Sequence, residues 1–141
     1  MGFLSLIKPL KKYEDYVYRA NTYENWFLRK KAIRVMDLAT QQNFSKEETS
    51  SGLIYLGLLY SSSKDYEKAS DCFNKALELM ENEKFKYSGN FKKIIETFIK
   101  NGNQQKAQYW LDNLLQRQSY DKKFKKLDVL QGRIEQKNLL S

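Results

Sequence analysis

Residues 53–77 read LIYLGLLYSSSKDYEKASDCFNKAL. Leu53, Leu56, Gly57 and Tyr60 recur at three- and four-residue intervals, the period of one helix face. Ala69, Phe73, Ala76 and Leu77 repeat that period after Ser61-Ser62-Ser63, with Asp65 placed to cap a second helix. The stretch therefore predicts two antiparallel helices joined by a short turn. Gly57 and Ala69 carry almost no side chain, so they mark where the two backbones cross closely, while Leu53, Tyr60, Phe73 and Leu77 fill the space around them.

The same string returns downstream. Phe91-x2-Ile94-Ile95-x2-Phe98, eight residues, then Ala107-x3-Leu111-x2-Leu114 superposes on the first without a gap at an offset of 38. A helix pair of this period, with Leu-Gly, Tyr, Ala, Phe and Ala at these places, resembles the tetratricopeptide repeat, or TPR. The second unit departs from the pattern at Ile95, where Gly57 stands in the first. Its hairpin is expected to be more open, or Ile95 to point at a neighbouring helix. Neither unit has the family's closing proline; Glu81 occupies that place in the first. The 38-residue offset exceeds the usual 34, which puts an extension of about four residues near 81–87. Upstream, Tyr16, Ala20, Tyr23, Ala32, Met36 and Ala39 keep the intervals at an offset of 37.

Outside this stretch the chain also reads as all-α. Strict two-residue alternation is missing, Pro9 is the sole proline, and glycine is scarce at 6 of 141 residues. The expected layout is a single helical domain over 1–141: antiparallel hairpins stacked as a short right-handed superhelix with a C-terminal capping helix. Residues 1–10 form an N-terminal arm. Residues 11–41 are a degenerate hairpin broken at Asn21-Thr22, with Asn21 and Glu24 as a capping box, or else one long helix. A clear unit spans 45–82, opened by a capping box of Ser45 and Glu48. A second unit spans 88–117, its hairpin turned at Asn101-Gly102. A last helix over 120–138, with Phe124, Leu127, Leu130 and Ile134 on one stripe, closes the array.

Composition narrows function. There is no histidine, which removes histidine ligands, Ser-His-Asp and Cys-His catalysis and the usual neutral-pH base. Cys72 is the single cysteine, so no internal disulfide forms, and a reducing compartment fits. It has no cationic neighbour in sequence to activate it. Glu47-Glu48 and Glu78, Glu81 and Glu83 read as solvated helix carboxylates rather than as a catalytic pair. No stretch approaches the ~20 apolar residues of a membrane span. The apolar arm over 1–7 has neither the cationic start nor the cleavage site of a secretory signal, and packs on its own domain or docks on a partner or membrane surface. No catalysis, cofactor or metal is expected.

Charge is unevenly spread. The formal net charge is +8, from 25 Lys/Arg and 17 Asp/Glu. Residues 1–83 carry 12 of each sign; residues 84–141 carry 13 cations and 5 anions. Such a basic half suits a solubilising surface or an acidic partner. Only Arg117 and Arg133 among those thirteen cations are arginines, which argues against a dedicated base-reading site.

The resemblance implies a concave surface, lined by the first helix of each hairpin, that holds a peptide or helix of a partner protein. The inward positions carried over are Ser51, Ile54, Leu58 and Ser61 in the first unit, and Lys92, Glu96, Ile99 and Lys100 in the second. Ile54 and Leu58 stand where carboxylate-clamping members need a cation and an amide, so that mode fails. An apolar floor with a cationic wall suits a partner segment of acidic and apolar character. The expected role is a cytoplasmic, non-enzymatic adaptor. Two alternatives stay open: nucleic-acid or anionic-surface association through the basic half, with Lys122, Lys123, Lys125 and Lys126 as its patch, and a homo-oligomeric scaffold. Most aromatic residues sit at core intervals; Tyr109-Trp110, Tyr23 and Trp26 are the candidate interface anchors.

Overall fold

The computed structural model describes residues 2–140, apart from the side chains of residues 2, 3, 5 and 138–140. Of the N-terminal arm, Met1 lies outside the described residues. Among the described residues there are eight α-helices and no strand: α1 Gly2–Ile7, α2 Tyr13–Asn25, α3 Arg29–Thr40, α4 Lys46–Ser62, α5 Tyr66–Leu79, α6 Asn90–Lys100, α7 Gln104–Gln116 and α8 Leu130–Leu140. Two 3-10 segments, Arg117–Ser119 and Lys122–Val129, lie between α7 and α8. The packing divides into two compact units, Met1–Met80 and Glu81–Ser141.

In the first unit, α2–α3 and α4–α5 are antiparallel hairpins. The Ser45 hydroxyl accepts from Glu48 N while Ser45 N donates to the Glu48 carboxylate, the expected capping box. The Asp65 carboxylate caps α5 by accepting from Lys68 N at 3.2 Å. Gly57 lies against the Phe73 ring, which is wholly buried. Burial of a side chain that size stabilises the fold by roughly 2–3 kcal/mol. The Ser50 hydroxyl donates to Ala76 O across the same hairpin at 2.9 Å. A contiguous core joins the two hairpins through Tyr16, Ala20, Ala32, Met36, Ala39, Leu53 and Leu56. The hairpin reading of residues 11–41 thus replaces the long helix.

The break in that hairpin is not at Asn21-Thr22. Both residues lie inside α2: Thr22 Oγ1 donates to Tyr18 O one turn back, and Asn21 Oδ1 accepts from the Tyr55 hydroxyl at 2.6 Å. No capping box forms at Asn21 and Glu24. The helix stops instead at Phe27, whose φ of 61° is left-handed. Phe27 N donates to Glu24 O and Leu28 N to Tyr23 O, a Schellman stop usually built on glycine. The same stop closes the two later hairpin turns. Lys64 has φ 63° with Asp65 N donating to Tyr60 O, and Gly102 has φ 76° with Asn103 N donating to Phe98 O. The three stops fall 37 and 38 residues apart, and Ala32, Ala69 and Ala107, five residues after each, are all fully buried.

In the second unit, α6 and α7 form a third hairpin, with fewer close backbone approaches than α4 and α5. Ile95, which stands where the first unit has Gly57, is fully buried. The expected helix over 120–138 is a 3-10 segment followed by α8. The reason lies in the stripe itself. Phe124, Leu127 and Leu130 are three residues apart and fully buried, which matches three residues per 3-10 turn; only the four-residue step to Ile134 follows an α-helix.

The inserted segment between α5 and α6 is held from within this second unit. Arg117, 8% exposed, donates from Nη1 to Glu83 O and from Nη2 to Glu81 O, and its guanidinium lies 3.9 Å from the Phe85 ring centroid. The Tyr120 hydroxyl donates to Phe85 O at 3.0 Å. Phe85, Tyr87, Phe91 and Phe124 form a continuous aromatic cluster.

Candidate functional site

On α4, residues 51, 54, 58 and 61 share one face by the three- and four-residue step. Ser51 is exposed; Ile54, Leu58 and Ser61 are half-buried. Ile54 leans on the core of the first unit, so part of its side chain is used structurally. Leu58 is not part of that core cluster. The α4 residues that turn inward are others: Ser50, Gly52, Leu53, Leu56, Gly57 and Leu59. The face is thus a short apolar strip between hydroxyls, suited to a side chain or helix ridge.

The α4 strip is braced from α2. The Tyr55 hydroxyl is shared between Asn21 Oδ1 and the Glu24 carboxylate. Burial, then the hydrogen bond to Glu24, hold its phenol well above the ordinary tyrosine range, so it stays a neutral donor. This contact fixes which way α4 presents residues 54 and 58. Tyr55 is a site-supporting residue that the sequence reading missed, because its partners lie more than thirty positions away.

The four positions on α6 differ from one another. Lys92 and Lys100 are exposed, Glu96 is half-buried, and Ile99 is buried. Ile99 therefore offers no open surface. The Glu96 carboxylate is engaged by Arg133 of α8, which ties α6 to the chain's last helix. What α6 presents outward is cationic. The second unit as a whole carries 13 Lys/Arg and 7 Asp/Glu over 81–141.

Lys122, Lys123, Lys125 and Lys126 are all exposed on the 3-10 segment, with Phe124 and Leu127 turned in. The Lys126 ammonium sits 5.8 Å from the Tyr87 ring centroid, a cation–π distance. Asp121 opens the segment by accepting from Lys123 N and from Tyr87 N. These backbone donors, Tyr87 first, hold its carboxyl below the usual carboxylate range.

The candidate anchors separate. Trp110 is buried, Tyr23 half-buried, and Tyr109 and Trp26 exposed, with the Tyr109 hydroxyl donating to the Glu81 carboxylate. Cys72 is buried, and desolvation pushes its thiol up to about 11, so little thiolate forms near neutral pH. Among the described residues no three His, Cys, Asp or Glu side chains come together as a metal site. No helix of the described chain is long and apolar enough to cross a membrane.

Comparison with known families agrees with this geometry. The tetratricopeptide-repeat family matches residues 50–83, the stretch that forms most of α4 and all of α5. No curated protein and no solved structure matches the chain.

Proposed function

We propose, from the match of residues 50–83 to the tetratricopeptide repeat, that the chain is a non-catalytic adaptor of the cytoplasm. It binds a segment of a partner protein on α4 of the first unit, at Ser51, Ile54, Leu58 and Ser61; Lys92 and Lys100 belong to the cationic face of the second unit, taken by itself. The observation that carries the reading is Leu58: an aliphatic side chain on the first helix of a matched repeat that keeps some accessible surface while its neighbours Gly57 and Leu59 are buried. Apolar contact there supplies affinity, and the excess of lysines supplies steering and selection by sign.

The test is capture of partners from the native host with the wild-type chain and with Leu58→Glu. The reading expects one polypeptide to be lost with Leu58→Glu while circular dichroism and Tm stay unchanged. Retention of every captured polypeptide would oppose it.

A second reading rests on the four exposed lysines over 122–126. Were the protein to act through that patch on nucleic acid, affinity for a polyanion would fall steeply with salt and ignore Leu58→Glu. A self-associating scaffold would instead show a concentration-dependent sedimentation coefficient.

A further inference from the structure

The α2–α3 turn breaks three local rules at one place, and the Phe27 side chain adds no packing to the fold in return. Phe27 takes a left-handed φ of 61° and is 95% exposed. That conformation disfavours a side chain, and burial offers no compensation. Trp26 beside it is 49% exposed, and Leu28 is exposed as well. The first turn of α3 then carries Arg29, Lys30 and Lys31 with no acidic residue, against the helix dipole. Helices α2, α4 and α5 place Glu or Asp in that turn, whereas α6 and α7 do not. With Arg34, these cations line a shallow depression behind the Phe27 ring, and Ser63 is its one polar lining residue that is not a cation.

We propose that this turn is an anchor for a bilayer surface containing anionic lipid. Phe27 and Trp26 enter the boundary between headgroups and acyl chains, and the α3 cations bind lipid phosphates. Two features favour a bilayer over a protein or nucleic acid. A ring at the point of a convex turn projects away from the molecule; a rigid partner needs a matching hole for it, whereas lipid closes around it. An aromatic pair with an adjoining leucine, backed by Lys and Arg, also matches the depth profile of a membrane interface, apolar outermost and cationic at the phosphates. Charge complementarity fixes the lipid sign, because the depression is lined by four cations and no carboxylate. The inference is independent of the α4 strip.

The experiment uses the full chain with phosphatidylcholine vesicles, with and without phosphatidylglycerol, at constant salt. Wild type is expected to sediment with the anionic vesicles only. Its Trp26 emission should shift to the blue and be quenched by brominated acyl chains, over a constant background from buried Trp110. Lys30→Gln with Lys31→Gln should weaken partitioning about thirtyfold, at the usual contribution of a surface cation. Phe27→Gly should abolish quenching without harming the fold, since glycine accepts the left-handed backbone. Equal binding to both vesicle types, or undiminished anionic binding by Phe27→Gly, would overturn the proposal. So would Phe27-dependent binding of single-stranded RNA or an acidic polypeptide without vesicle binding.

Discussion

Gly57 and Phe73 occupy one space: a Cβ built on Gly57 would stand 2.4 Å from Cε1 of the Phe73 ring and 2.6 Å from Cδ1. The ring is fully buried, so it moves aside only by displacing its packed neighbours. Gly57→Ala should therefore cost about 1–3 kcal/mol, the ordinary penalty for overpacking a core. Gly89→Ala, where a Cβ meets nothing within 4 Å, should be nearly neutral. Urea unfolding of the two variants makes the comparison.

The turn stops predict a reciprocal pair. Lys64 and Gly102 hold left-handed φ values of 63° and 76° at matching places. Gly102→Ala should lose about 1 kcal/mol, and Lys64→Gly should be neutral or gain up to about that amount, offset in part by the freer unfolded chain. Thermal unfolding resolves both signs.

Arg117 predicts a larger effect. Replacing it with Leu leaves the carbonyls of Glu81 and Glu83 without their guanidinium donors. A loss of about 2–4 kcal/mol is expected. Arg117→Lys should not restore stability, because an ammonium cannot fork to two carbonyls while lying flat on the Phe85 ring.

Acid sensitivity follows from Asp121. Backbone hydrogen bonds from Tyr87 and then Lys123 hold its folded pKa below the ordinary aspartate value. A depressed carboxylate contributes stability above its unfolded pKa and loses it as pH falls through the folded value. The carboxylate's share is thus intact at pH 5 and disappears below about 3.8. In Asp121→Asn, Tm should decline less steeply over that acid range than in wild type.

Much of this architecture was legible before any coordinates. Ser45 with Glu48, Asp65 and Asn101-Gly102 are local signals whose chemistry does not depend on tertiary context, and each lies where its residue type predicts. The 37- and 38-residue offsets place the three buried alanines correctly. The failures are equally physical. Phe27 carries no left-handed signature, so the sequence points for the first turn to Asn21-Thr22, two residues that tolerate a helix interior once Tyr18 O and the Tyr55 hydroxyl satisfy them. The three-residue steps from Phe124 to Leu130 fit a 3-10 turn but also one face of an α-helix, so spacing alone does not separate the two. At the candidate site, Ser51, Leu58, Lys92 and Lys100 keep accessible surface. The burial of Ile99 and the pairing of Glu96 with Arg133 depend on contacts that spacing does not encode.

In the proposed function, α4 presents position 58 to another polypeptide. Its most direct measurement is photo-crosslinking in the native host with a benzophenone side chain placed at position 58, and in a parallel chain at the exposed Asp71 of α5. A covalent adduct with a second protein is expected from position 58 and none from position 71. No adduct at 58, or the same adducts from both positions, would contradict it.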